Sequence, residues 1–339
     1  MKISRFLSLP VVLAIVLAAC SGPGQQTLST PSVTGDVRTQ SSADPGEMLF
    51  AAGTSEVDGF ALPLSNDSKP VVRLTDVNEP IPVAVGPQDL FVGSFSDGDI
   101  FRFKLPLTAS STGERLPVRL APKQFATAFQ TPLSGAASGP SPVIAIGTPS
   151  GLAVDQGYLY VAGAAANGRF QVQAFARPVT GGETPAAVIK GYSSIDFLGL
   201  AAEGDTLFVA STTQGTIRAF TLPLTSGAVP RYTLHIPPQQ NAAIGVATRH
   251  HILYVTNYST GEVLAYTLPH PAKPVRLDLK PANNGSNPAP YAVTASDKYL
   301  YVSGNAIYQY RLPVSAGEKP SAIIQNVTFG LAAFPKFAQ

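Results

Sequence analysis

The 339-residue sequence has no tryptophan, two methionines and a single cysteine, Cys20. One thiol cannot form a disulfide within the chain, so core packing has to supply the stability. Charged residues make up only 13% of the sequence, which excludes charge-driven disorder over most of its length. The 31 prolines and 30 glycines predict many turns and few long helices.

An excess of one charge is also absent, since 23 Lys and Arg stand against 21 Asp and Glu. Lys2 and Arg5 lie in an N-terminal segment that we expect to be removed, which leaves 21 residues of each sign. A chain near neutrality lacks the electrostatic footprint of a nucleic-acid-binding protein, so we expect no such partner. The sequence contains no Gly-x-Ser-x-Gly elbow, His-Glu-x-x-His pair or phosphate-binding Gly-Lys-Ser loop, and we predict neither a cofactor nor a resident metal.

Residues 1–19 are predicted to be a signal peptide. Lys2 and Arg5 form a positive n-region, and the apolar run over 6–17 is shorter than the about 20 residues that span a bilayer. The run ends in Leu-Ala-Ala-Cys at 17–20, which resembles the lipobox of bacterial lipoproteins. An ordinary secreted protein with an incidental cysteine is the alternative, but Cys20 is the only cysteine in the chain.

The lipobox resemblance implies that the chain is cleaved before Cys20 and that the exposed cysteine carries lipid. The lipid would anchor an extracytoplasmic protein to a membrane. Two or three acyl chains anchor stably, because each buried CH₂ contributes about 0.8 kcal/mol. By the same resemblance, Ser21 favours the outer membrane or cell surface. Residues 20–47 carry almost no large apolar side chains, so we predict a flexible tether of about 30 Å reach after the lipidated cysteine.

The rest of the chain, 48–339, repeats a four-part unit and is predicted to be one domain. A short apolar phrase recurs around six aromatic residues: Phe50, Phe91, Tyr160, Phe208, Tyr254 and Tyr301. Each phrase is followed by a polar turn and then by another strand. That strand ends in a proline signature, as at 60–64 and 220–224. A segment opened by proline follows, as at 70–74, and a small-residue strand such as 199–202 precedes most phrases.

Four short strands in a unit of about 46 residues predict an all-β β-propeller with six four-stranded blades. The small-residue strand fits the crowded axis, and the strand opened by proline fits the outer edge, where a missing N–H costs little. The first unit lacks its inner strand, and an unmatched inner strand, 330–333, follows the last unit. We therefore predict that 329–334 complete the first blade and close the ring.

One repeat is longer than the others by about 23 residues, near 121–147. This excess is either an extra hairpin on the second blade or a decayed seventh blade. A full blade needs about 46 residues, so six blades with an insertion is the favoured interpretation.

The segment Tyr254-Val255-Thr256-Asn257, followed by Gly261, resembles the YVTN family of β-propeller repeats, although the other copies replace its Thr and Asn with Ala, Gly or Ser. The resemblance covers 48–334 as a repeat type. It implies an extracytoplasmic surface or binding protein, with lactonase-like enzymes as cousins, and it does not settle whether the chain has an activity.

Propellers bind ligands at the axial mouth, formed by loops that enter inner strands and by turns between second and third strands. Recurrent Asn there could suit sugars or other polar neutral groups, or could only supply turn geometry. The candidate residues are Asp97, Asp196, Asn241, Asn257, Asn284, Asn287, Asn305 and Asn326.

The segments that lead into the predicted inner strands contain few carboxylates. Asp196 is the one acidic residue assigned to such a segment. One ligand does not make a metal site of the lactonase kind. The adjacent His250 and His251 are expected in a turn on the rim away from the mouth, and His235 and His270 as solvated residues. No thiol remains after lipidation of Cys20, which excludes thiol catalysis.

These features favour a lipid-anchored, extracytoplasmic propeller that acts as a binding or protein-interaction scaffold in the cell envelope. Its predicted partners are the membrane, through Cys20, and envelope proteins or polar small molecules. A lactonase- or lyase-like enzyme that uses the axial mouth is the alternative, and we predict no catalytic residues.

Overall fold

A computed structural model of the chain describes residues 47–75, 77–107, 113–116, 146–165, 167–180, 183–194, 196–237, 243–269, 271, 273–279, 288–325 and 328–334. The side chains at 146, 147, 243 and 334 are outside this description. The predicted signal peptide, Cys20, the tether up to residue 46 and the insertion up to residue 145 also lie outside it.

The described residues form 24 strands in six antiparallel sheets of four, which are the blades. Blade 1 holds β1 (Met48–Ala52), β2 (Val57–Ala61), β3 (Val72–Leu74) and β24 (Gly330–Phe334). Blade 2 holds β4 (Pro80–Val85), β5 (Asp89–Ser94), β6 (Ile100–Lys104) and β7 (Glu114–Leu116). Blade 3 holds β8 (Ile146–Val154), β9 (Tyr158–Ala165), β10 (Phe170–Ala176) and β11 (Ala187–Ile189).

The second half of the chain repeats this arrangement. Blade 4 holds β12 (Leu198–Glu203), β13 (Thr206–Ser211), β14 (Thr216–Thr221) and β15 (Tyr232–His235). Blade 5 holds β16 (Ala243–Arg249), β17 (Ile252–Asn257), β18 (Glu262–Thr267) and β19 (Val275–Asp278). Blade 6 holds β20 (Val293–Ala295), β21 (Tyr299–Ser303), β22 (Ile307–Arg311) and β23 (Ala322–Ile324). The prediction of a six-bladed, all-β propeller is confirmed.

The ring is closed by the C-terminal strand, as predicted. β24 pairs with β1 in antiparallel register, with Gly330 opposite Ala52 and Phe334 opposite Met48. The Phe329 N–H extends the ladder by donating to the Ala52 carbonyl at 2.8 Å. β24 also contacts β4 of blade 2 and β20 of blade 6, so the last residues of the chain join three blades.

Second strands are apolar on both sides because each blade packs against two neighbours. In β13, Leu207 and Val209 pack into a cluster shared with blade 3, while Phe208 packs into a cluster shared with blade 5. Successive side chains of a strand point to opposite faces, so an uninterrupted Leu-Phe-Val run serves both interfaces. This packing positions the six inner strands side by side around the axis.

Inner strands carry glycine because the backbone of the next blade lies against them. A Cβ at Gly245 would lie 2.6 Å from the Tyr291 carbonyl oxygen, and one at Gly199 would overlap the Ile244 carbonyl oxygen. A Cβ at Gly330 would likewise overlap the carbonyl oxygen of Ile81, where blade 1 meets blade 2. Any side chain at these positions would push two blades apart.

His250 and His251 form the two-residue turn between β16 and β17, at the end of the blade away from the axial mouth. Their φ angles are 50° and 59°, in the left-handed region that hairpin turns of this type require and that Asn-Gly normally occupies. The location agrees with the expected turn. His250 Nε2 lies 3.3 Å from Asp297 Oδ1, an exposed contact that contributes little to stability.

We expect His251→Gly to stabilise the protein by about 1 kcal/mol, because glycine adopts a positive φ without the steric cost of a Cβ. The melting temperature should rise by about 1–2 °C for a domain of this size. The His251 N–H that faces Glu203 is a backbone group and is retained in the variant. His251→Ala is the matched control, since it shortens the side chain but keeps the Cβ. An equal gain in both variants would mean that the φ angle is not the cause.

Candidate functional site

A cavity of about 410 Å³ lies on the propeller axis, where all six blades meet. It opens at the end where the chain enters the inner strands. Each blade contributes to its wall a branched aliphatic residue that directly follows a glycine, alanine or proline in the chain. These six residues are Leu331, Val83, Leu152, Leu200, Val246 and Val293.

Aromatic side chains stand at the mouth of this cavity in two groups. Phe95, Phe197, Tyr291 and Phe329 are on the lining, and Phe170 and Tyr258 contact these rings without lining the cavity. Blades 2, 3 and 4 form one group, and blades 5, 6 and 1 form the other on the opposite half of the ring. We refer to them as the phenylalanine cluster (Phe95, Phe170 and Phe197) and the tyrosine cluster (Tyr258, Tyr291 and Phe329).

In the phenylalanine cluster, Phe197 is the central ring. It stacks on Phe95, with centroids 5.8 Å apart and planes inclined by 11°, and it contacts Phe170 at 6.3 Å. Phe197 is 40% exposed, a high value for so large an apolar side chain. An aromatic surface therefore faces solvent at the opening of the cavity.

In the tyrosine cluster, Tyr291 is central, with its ring centroid 5.3 Å from those of both Tyr258 and Phe329. Burial raises the pKa of the Tyr291 hydroxyl to about 12, and its hydrogen bond with Tyr258 acts in the same direction. The Tyr291 hydroxyl is therefore neutral at physiological pH and adds no charge to the mouth.

The described lining residues include a single ionisable carboxylate, Glu79, and no Lys, Arg or His. Glu79 is exposed at the start of β4, with φ 43°, and accepts a hydrogen bond from Ser96 Oγ at 2.5 Å. The other polar side chains on the lining are Thr54, Ser150 and the Tyr291 hydroxyl. The site thus combines an aliphatic wall, an aromatic mouth and one carboxylate at its edge.

The two aspartates singled out from the sequence do not line the cavity. Asp97 is exposed in the turn after β5, where it accepts hydrogen bonds from Asn78 Nδ2 at 3.0 Å and Ser94 Oγ at 3.2 Å. Asp196 is fully buried and accepts hydrogen bonds from Ser211 Oγ at 2.6 Å and the Thr213 N–H at 3.1 Å. Both carboxylates hold loops of their own blades.

Two of the predicted asparagines are described, and they also brace turns. Asn257 is buried at the end of β17, and its Nδ2 donates to the Pro237 carbonyl at 2.8 Å. Asn305 Oδ1 accepts a hydrogen bond from the Tyr308 hydroxyl at 2.7 Å. These contacts correspond to the turn-geometry role. The other candidates lie outside the described residues: Asn241, Asn284, Asn287 and Asn326.

Neither the histidines nor the carboxylates of the described chain assemble into a cluster of three that could hold a metal ion. His235 lies at the end of β15, and His270 is outside the described residues. Within the same ranges, no helix has the length and apolar character needed to cross a bilayer.

Sequence reasoning missed the aromatic mouth because it considered only polar residues there. A positional signal was available. Phe95 and Tyr258 each follow the last residue of a second strand, and Tyr291 and Phe329 each precede the small residue of an inner strand. Glu79 also directly precedes an inner strand and is the acidic residue that the structure places at the mouth.

The sequence matches no protein-family model and no curated protein. Among solved structures, a chain of the nidogen/laminin complex aligns at 15% identity with a TM-score of 0.59, over 87% of this chain and 100% of that one. Virginiamycin B lyase from Staphylococcus aureus aligns at 11% identity and TM-score 0.48, over 86% and 84% of the two chains. The Swd1 propeller of Myceliophteria thermophila aligns at 13% and 0.46, over 76% of each.

At 15% identity, the nidogen/laminin chain shows the fold alone. The neighbours are β-propellers, and this chain is one as well. A propeller can serve as a protein-interaction scaffold or carry an enzyme active site, so the fold does not choose between these functions.

Proposed function

We propose that the protein is a lipid-anchored, extracytoplasmic binding protein of the cell envelope that holds its ligand at the axial mouth. The observation that carries the binding role is the cavity of about 410 Å³ with its aromatic mouth. Ligand pockets of small-molecule sites have volumes of about 300–1,000 Å³ and are lined mainly by apolar and aromatic side chains. A group of aromatic rings that faces solvent is typical of an interaction surface or a ligand-binding groove.

The direction of β1 decides which face of the propeller an anchor at residue 20 would lie on. Met48 pairs with Phe334 at the end of blade 1 away from the mouth, whereas Ala52 pairs with Gly330 beside the cavity. The segment that leads from Cys20 to the propeller therefore joins the face opposite the mouth. In an anchored protein this arrangement leaves the mouth free to face away from the membrane.

The anchor is tested by Cys20→Ser, which removes the thiol that would carry lipid. We expect the variant to leave the membrane fraction, whereas the matched control Ser21→Ala stays in it. The measurement is the distribution of the protein between membrane and soluble fractions of its own host. A Cys20→Ser protein that still sediments with membranes would contradict the lipid anchor.

The binding role is tested by filling the cavity. Ile244 is half-buried on the lining, and Ile244→Trp places an indole in the cavity. Protein purified from its own envelope should release a small molecule on denaturation, detectable by mass spectrometry, and Ile244→Trp should release at least about ten-fold less. Val229→Trp is the matched control, since Val229 is 82% exposed and is not among the lining residues. Equal release from both variants would contradict binding in the cavity.

A further inference from the structure

We propose that the axial cavity selects an uncharged small molecule with a planar aromatic ring, held between the phenylalanine and tyrosine clusters. This inference rests on the proposed binding function and specifies the chemical class of its ligand. Three features of the site carry it: its enclosure, the absence of Lys, Arg and His from the part of its lining that the structure describes, and the arrangement of its aromatic rings.

Enclosure determines the size of the occupant. Six inner strands surround the cavity, and their backbones are already in contact through residues such as Gly199 and Gly245. The wall can widen only if blades separate, which the closed ring opposes. A volume of about 410 Å³ accommodates a small molecule, whereas a folded partner could only cover the opening. The occupant is therefore a free small molecule.

Charge on the ligand is disfavoured by the wall. Moving a charged group from water into an apolar cavity is costly unless a partner compensates it. The described lining offers an anion no Lys, Arg or His, and Glu79 would repel it. Glu79 sits at the exposed edge and already accepts a hydrogen bond from Ser96, so it leaves a cation deep in the aliphatic wall without a partner.

Aromatic geometry favours a planar ligand. The two clusters lie on opposite halves of the ring, and each has a central residue on the cavity lining, Phe197 in one and Tyr291 in the other. Aromatic rings associate by offset stacking or edge-to-face contact, with centroids about 4.5–7 Å apart. A planar ligand ring at the mouth has an aromatic partner on either side of the opening, and the wall beneath it offers Leu200, Val246 and Leu331 to an aliphatic part of the ligand.

The experiment compares two fluorescent probes that share one ring system. N-phenyl-1-naphthylamine is uncharged, and 8-anilino-1-naphthalenesulfonate carries an added sulfonate. Both are titrated into the full chain in the same detergent, with excitation where indole does not absorb. The Val229→Trp and Ile244→Trp variants are compared, so that their difference reports the cavity and not the micelle.

For the neutral probe we expect saturable binding of one molecule per chain to Val229→Trp, and none to Ile244→Trp. The sulfonated probe should bind about ten-fold or more weakly. Phe197→Ala should lower the affinity for the neutral probe by about three- to ten-fold, because a stacking contact is lost. The variant should keep its fold, because the Phe197 side chain is part-exposed. Melting curves of all variants check the fold.

Equal affinity for the two probes would overturn the proposed ligand class, as would tighter binding of a naphthalene probe that carries a quaternary ammonium group. Neutral-probe binding that survives Ile244→Trp would place the probe outside the cavity and overturn it as well. These outcomes are distinct from failure of the binding function itself. If the natural ligand is still lost in Ile244→Trp but the probes do not discriminate, the function holds and only the ligand class is wrong.

Discussion

A chain that ends at Thr328 is expected to lose its cooperative fold. Truncation there removes β24 and leaves β1 without its inner partner, together with the contacts of β24 with blades 2 and 6. Burial of Leu331 alone is worth about 1.5–3 kcal/mol, and the half-buried Phe329 adds part of such a contribution, set against a total stability of about 5–15 kcal/mol for a typical domain. Blade 1 would keep only three strands, and the surfaces of blades 2 and 6 that β24 covers would be exposed to water.

Circular dichroism melting of the purified chain measures this effect. The matched control is a chain that ends at Phe334, which lacks only the five residues beyond β24. We expect the control to melt as the full chain does, and the chain ending at Thr328 to show no sharp transition. A truncated chain with an unchanged, cooperative melting curve would show that the C-terminal strand does not lock the ring.

Gly199→Ala is expected to destabilise the propeller by about 3 kcal/mol, at the upper end of the usual cost of overpacking. The added methyl group would overlap the carbonyl oxygen of Ile244 in the next blade, which is backbone and cannot rotate away. In an open sheet the neighbour could shift, but in a closed ring the shift of one blade is opposed by the other five. A single methyl group therefore acts on the whole ring.

Chemical denaturation gives the free energy of unfolding for this comparison. Gly157→Ala is the control, because a Cβ at Gly157 meets its nearest atom, Asp155 Oδ1, at an ordinary 3.7 Å. It should be neutral or slightly stabilising, as a glycine removed from the unfolded chain usually is. If both variants lost the same stability, the contact between neighbouring inner strands would not be the reason for the glycine.

The polar candidates illustrate where reasoning from residue type fails. Asp196 is an acidic residue near an inner strand, yet its carboxylate is buried and accepts hydrogen bonds from the Ser211 hydroxyl and the Thr213 N–H. Asn257 occupies the end of a strand where its amide satisfies the Pro237 carbonyl. An Asp or Asn side chain near a turn can bond to its own loop or face a ligand, and only the direction of the side chain distinguishes these uses.

The aromatic mouth shows a related limit. Phe95 and Phe197 are about one hundred residues apart in the chain, in blades 2 and 4, and each alone resembles an ordinary core residue. They meet because the ring bends the chain back on itself across blade 3. Contacts between residues of non-adjacent repeats depend on the number of blades and on the closure of the ring, which no single repeat contains.

The repeat of strand patterns by itself determined the propeller fold, the order of strands in a blade and the pairing of the last strand with the first blade, because side-chain alternation and the small residues of the axis are local properties. It favoured six blades over seven, and the structure shows six. The composition of the mouth was decided only in the tertiary structure. Six openings from six repeats converge there, and their combination of aliphatic wall, aromatic rings and one carboxylate is a property of the closed ring. Local patterns repeat along a chain, whereas a binding site requires distant residues to be brought together in space.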